Sequence, residues 1–257
     1  MTAVAQLTEI RKPPRLADTW RALLRADFKV QWHQRRSLLM TVLVPIAFLV
    51  SWKDLIPKIG GHAVLAICIA IGLPAMGLMG YSMVIARDRE TGVFQRLRTT
   101  PTATSAIMGS RIVVQLAVTA MMTLFTCGIA YEVDGISLSA ASLPLVVVAA
   151  LVGGLAFLAL GQFVVALVKG SEAVSAVARL LYLLMVVVGG LGETGVMGPV
   201  VKQIVGWSPI GTTRALLVAA MTPATLDSHA VAMFGLTLVY GIVFAALGMR
   251  WFRWSAE

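Results

Sequence analysis

Long stretches without one charged side chain constrain this sequence more than any other feature. Residues 63–86, 143–168 and 230–249 hold no Asp, Glu, Lys or Arg, and about 20 such residues suffice to cross the ~30 Å hydrocarbon core of a bilayer. In that solvent each backbone N–H and C=O must be satisfied within its own segment, and no run alternates with the period of a barrel strand. The expected fold class is therefore all-α and integral to a membrane. Two further runs, 107–131 and 173–191, each contain one arginine, Arg111 and Arg179, and a shorter run covers 38–52. Together these make six expected spans in a single domain, 1–257. The first has only 15 residues, about 22 Å of helix, so it must extend past its apolar limits or sit where the bilayer is thin. Pro45 and Pro74 fall inside spans and predict a kink at each. Only 13% of the residues are charged, against about 25% in a soluble domain.

The formal net charge of +9 would suit nucleic acid if the cations clustered, but they sit at the ends of the apolar runs. No nucleic-acid role is implied. Counted by connection, fifteen Lys and Arg fall before the first span, between the second and third, between the fourth and fifth, and after the sixth. Four, Lys53, Lys58, Lys202 and Arg214, fall on the other side. The positive-inside rule then places both termini in the cytoplasm of a multi-pass plasma-membrane protein, and Lys58 and Asp134 in outer connections. The polar, basic N-terminal stretch is too long for the charged region of a signal peptide, and no cleavage is expected.

Residues 1–36 form a cytoplasmic segment with its own pattern. Leu16, Trp20, Leu24, Phe28 and Trp32 recur every fourth residue, while Arg21, Arg25, Lys29 and Arg36 fill another face. An interfacial amphipathic helix lying along the inner leaflet fits this pattern, although Asp27 and Arg35 intrude on its apolar side, and a basic topology signal with some helicity explains it too. Between the fifth and sixth spans, 193–228 is too long for a turn and too apolar for a linker. Two short exofacial, re-entrant helices, broken at Ser208-Pro209, are expected there.

No phosphate loop, zinc motif or nucleophile elbow occurs. His33, His62 and His229 are scattered, and Cys68 and Cys127 read as apolar packing residues. The chain is expected to be no enzyme and to hold no cofactor or metal.

The informative segment is the loop 87–105, which runs Arg87-Asp88-Arg89-Glu90-Thr91-Gly92-Val93-Phe94-Gln95-Arg96-Leu97-Arg98 and reaches Pro101. Its mixture of charge with Val93, Phe94 and Leu97 reads as a short amphipathic helix offered to a cytoplasmic partner. A loop that binds anionic lipid explains the arginines as well, and from composition the two readings stand level.

The sequence resembles the permeases of type-2 ABC transporters, bacterial exporters of drugs, lipids and polysaccharides. That family places an acidic residue, a Gly, a Leu and a Pro in this loop, as Glu90, Gly92, Leu97 and Pro101 stand here. The helix before the first span resembles the family's connecting helix, and Trp207-Ser208-Pro209-Ile210 with Arg214 resembles its exofacial pair, Ser208 standing where relatives commonly have Asn. The resemblance implies a second permease chain, identical or related, and a pair of nucleotide-binding ATPase subunits that hold ATP and Mg. It makes the loop a coupling helix, with Arg87, Glu90, Gly92, Phe94, Arg96, Leu97 and Pro101 meeting the ATPase. Alternating access would then move a hydrophobic or amphipathic substrate outward, as in efflux and antibiotic resistance.

Met76, Met79 and Met83 lie on similar faces of an ideal helix, and flexible thioethers suit a promiscuous path; ordinary packing explains them too. Arg179, an ionisable group inside a span, would line that path or pair near Glu172. Gln115 and Gln162 are placed to bond across helices, and Ala149, Ala150, Gly153 and Gly154 to admit a neighbouring backbone. A secondary transporter would need acidic pairs near the midplane, and a headgroup enzyme clustered acids or histidines. Neither set is present.

Overall fold

Each apolar run closes its own backbone hydrogen bonds as a helix. The computed structural model describes residues 16–33, 35–98, 104–193, 197–223 and 227–251. Among them are α1 (Leu16–His33), α2 (Arg35–Ser51), α3 (Gly61–Glu90), α4 (Val93–Arg98), α5 (Thr104–Asp134), α6 (Ser142–Leu167), α7 (Ser171–Gly189), α8 (Pro199–Trp207), α9 (Pro209–Met221) and α10 (Ser228–Trp251), and no strand. The protein is an all-α membrane protein. Five helices, α3, α5, α6, α7 and α10, are long and apolar enough to span.

The expected first span differs. Helix α2 has 17 residues, of which Val42–Ser51 form the apolar part, and it extends back to Arg35 past the apolar limit at residue 38, as its length required. Short turns at Lys53–Leu55 and Ile56–Ile59 continue the chain. Helices α8 and α9 meet at 83°, matching the expected break at Ser208-Pro209. Ser208 caps α9 by accepting from the Gly211 N–H at 3.2 Å and donates to the Val205 carbonyl at 2.6 Å.

Pro74 does not end α3. Residues Ala75–Tyr81 widen into a π-helical turn before α-geometry resumes at Ser82. An extra residue in the turn absorbs the bond that proline cannot donate. The turn also rotates the rest of the helix, so Met76, Met79 and Met83 lose their common face. Met76 is buried against Thr119, Met79 is 40% exposed, and Met83 packs partly against the core. The single methionine stripe read from sequence is thus divided.

Helix α6 is the hub and packs on α3, α5, α9 and α10. Side-chain-free positions permit this. A Cβ at Gly77 of α3 would stand 2.2 Å from the Phe157 carbonyl oxygen, and one at Gly161 would stand 2.2 Å from that of Gly77. The two backbones therefore touch, a packing mode that suits a lipid solvent lacking a hydrophobic drive between helices. Gly153 and Gly154 likewise face Thr213 and Thr119. Cys68 and Cys127 are buried free thiols. By contrast, α7 and α10 leave most of their apolar faces uncovered.

One end of the bundle gathers α4, the turn between α6 and α7, and Trp251, which lies 5.9 Å from Phe163. We call it the loop end. At the far end His62 contacts the Ser137 carbonyl at 3.3 Å, and Ser142 donates to that of Met221 at 3.1 Å. Asp134, expected in a solvated connection, has instead a fully covered side chain, 4.0 Å from the Lys53 ammonium.

Candidate coupling site

The loop after α3 is shaped by one glycine. Gly92 has φ +69°, the left-handed region in which an L side chain is strained, and the turn is closed by the Thr91 N–H on the Arg87 carbonyl at 2.9 Å. Helix α3 stops there and α4 starts one residue later. Gly92 is therefore required by the backbone. Arg96 returns from α4 to the Thr91 carbonyl at 3.3 Å.

Four consecutive residues at the end of α3 face different ways. Arg87 and Glu90 are exposed, Asp88 is half-buried and Arg89 is only 4% exposed. Asp88 pairs with Arg111 of α5 at 2.5 Å. The Arg89 guanidinium donates through Nη1 to the Val165 carbonyl and through Nη2 to the Val168 carbonyl, each at 2.7 Å. Val165 lies in the last turn of α6 and Val168 is the extended residue that follows it, so both carbonyls stand at a helix end whose acceptors have no partner inside the helix. Glu90 does the reverse at α7. Its carboxylate accepts from the Ser171 N–H in the first turn, beside Gly170 at φ +83°. A cation at one helix C-terminus and an anion at the next N-terminus both complement the helix dipoles.

The end of α3 thus grips α5, α6 and α7 through three adjacent side chains. The exposed surface above this grip is charged and includes Arg87, Glu90, Gln95 and Arg96. Phe94 and Leu97 lie on α4 by their backbones, their side chains not being described, and Pro101 lies outside the described residues. Sequence reasoning missed Arg89, Asp88 with Arg111, and Ser171. The one available signal was that Asp88 had no explanation as a topology charge while Arg111 stood inside a span near its start.

A second attachment secures α1. Asp27 accepts from the Ser110 hydroxyl, and Trp20 packs on Gly109, where a Cβ would stand 2.7 Å from Cη2. Trp20 and Asp27 are about 10.5 Å apart along α1 yet meet neighbouring residues of α5. Helix α1 therefore lies across the span, as an interfacial helix must. Asp27, an intruder in the apolar stripe, is the residue that bonds it.

The sequence pattern that defines the ABC-2 type transporter family matches residues 18–221, from α1 to the end of α9. This chain belongs to the ABC-2 type transporter family. The permease match takes in the crosswise α1, the gripped loop and the bent pair α8–α9 together. ABC-2 permeases pair in general with an ATPase subunit. No curated protein matches the chain.

The remaining predicted residues do not form one site in this permease. Arg179 is exposed on α7, and no ion pair joins it to Glu172 among the described residues. Gln162 does bond across helices, accepting from the Tyr81 hydroxyl at 3.3 Å. That pair lies in an apolar groove of about 620 Å³ between α5, α6 and α10, which Met108, Leu155 and Ile242 also line. None of Met76, Met79, Met83 or Arg179 lines it. Among the described residues no group of His, Cys, Asp and Glu is arranged to hold a metal.

Proposed function

We propose that this permease is the transmembrane half of an exporter. It moves a hydrophobic or amphipathic substrate, a drug, lipid or lipid-linked glycan, out of the cell by alternating access. ATP and Mg are held by a separate ATPase pair, and a second permease chain completes the path. Both termini are cytoplasmic, which the fifteen against four distribution of basic residues supports. The observation that carries the reading is the grip of Arg89 and Glu90 on α6 and α7. It gives the loop a mechanical route to two helices on which a plain topology loop has no need to act. A groove walled by apolar side chains, with one hydroxyl–amide pair, suits an amphipathic ligand.

The reading is tested by reconstituting the chain with its ATPase subunit in vesicles. The chain alone should hydrolyse no ATP, and ATP-dependent movement of an amphipathic dye should appear only when both are present. Sustained turnover by the chain alone, or transport driven by an ion gradient without ATP, would overturn it.

A further inference from the structure

Away from the coupling region, α1 leaves an open trough of about 670 Å³ against α5. Val113 and Ala117 form its floor, Phe28 and Trp32 its wall, and Arg25 and Lys29 its rim. Phe28, Trp32 and Val113 remain 54%, 61% and 46% exposed, so neither helix covers the apolar surface of the other. Arg25 and Lys29 stand one turn apart and exposed, and neither enters an ion pair among the described residues. The contacts of Trp20 and Asp27 set α1 across α5 at Gly109 and Ser110. Val113 and Ala117 lie one and two turns further along the span, about 4.5 and 10.5 Å beyond Ser110. The cations therefore stand at the mouth of an apolar channel that runs into the bilayer.

We propose that this trough binds an anionic glycerophospholipid from the leaflet against which α1 lies. Its phosphate sits between Arg25 and Lys29, and one acyl chain runs over Val113 and Ala117 beside Phe28 and Trp32. The chemistry selects this ligand from its neighbours. A soluble anion leaves the apolar floor unfilled, and a zwitterionic lipid fills the floor but brings no net charge to two cations. The proposal rests on α5 being a span and α1 interfacial. It depends neither on the side they face nor on export.

The test uses the full chain in nanodiscs whose two leaflets have one composition, so topology does not enter, and no transport or ATPase activity is read. Acyl-brominated phosphatidylglycerol or phosphatidylcholine is titrated in, and quenching of Trp32 is taken as the difference between the wild type and Trp32→Phe. Quenching should favour the anionic lipid. In Arg25→Ala/Lys29→Ala that preference should fall about thirtyfold, ~1 kcal/mol for each basic residue at ~1.4 kcal/mol per tenfold. Ala117→Phe fills the floor without removing charge and should lower Trp32 quenching by the anionic lipid to the level of the zwitterionic one, which removes the preference, so the proposal stays testable if the double variant misfolds. Arg250→Ala, a loss of charge elsewhere, should leave it unchanged. Equal quenching by both lipids would overturn the proposal. So would an equal fall in the Arg250 variant, which would mean bulk electrostatics, or unaltered preference in both trough variants.

Discussion

Arg89 donates to the Val168 carbonyl across 2.7 Å, joining the end of α3 to the end of α6 over 79 residues of sequence. Its other terminal nitrogen holds Val165, and its neighbour Glu90 holds Ser171. The connection between α6 and α7 is therefore fixed from outside by two residues of the coupling region. In the proposed mechanism these carry the motion of α4 into the bundle.

Arg89→Ala should uncouple the complex. Two charge-assisted bonds disappear, one buried and one part-buried, each worth about 1.5–3 kcal/mol, and the end of α6 loses its cap. Transport should fall steeply while residual ATPase activity persists, with a lowered melting temperature. Arg89→Lys should be intermediate, because a single ammonium lacks the planar fork that reaches both carbonyls. Parallel transport and ATPase assays on reconstituted complexes check this.

Backbone contact at the hub predicts intolerance of one methyl group. Gly161→Ala places a Cβ 2.2 Å from the Gly77 carbonyl oxygen and should destabilise the fold by about 1–3 kcal/mol or more, since packed cores resist insertion. Gly128→Ala meets nothing within 4 Å and should be silent. Thermal unfolding in detergent, followed by thiol reactivity of buried Cys68, reads the difference.

The bend between α8 and α9 depends on a cap. Ser208→Ala should cost about 1 kcal/mol, whereas Ser208→Asn should be nearly neutral, because an Asn side chain can accept from the same N–H. Melting temperatures of the two variants decide.

The proposed topology is checked with single cysteines. An impermeant thiol reagent added to intact cells should label Lys58→Cys and leave Arg96→Cys unlabelled until the membrane is opened. The reverse pattern would invert the topology. Asp134 is unsuitable as a reporter, since its side chain is fully covered.

The five long spans, the amphipathic α1, the charged loop and the bent pair α8–α9 were legible, because each arises from local hydrophobic period or a proline break. The site was legible only in outline. Glu90 and Gly92 stood out by spacing, but the partner of Glu90 is 81 residues away, and no local rule reaches that far. Arg89 was hidden among neighbours of the same kind, since an arginine that caps a distant helix and one that marks a membrane side look identical in sequence. The common face of the methionines was lost for a different reason. A period of 3.6 was assumed through Pro74, and the π-turn broke it. Asp27 shows the converse, an apparent flaw in an amphipathic pattern that turned out to be the contact with Ser110.

The central claim, that α4 and its flanks meet the ATPase, is tested most directly by site-specific photo-crosslinking. A benzophenone amino acid at exposed Gln95 should, on irradiation of the assembled complex, capture the ATP-binding subunit. The same probe at Ile204, 66% exposed on α8 at the far end, should not. Capture from Ile204 with none from Gln95 would contradict the account.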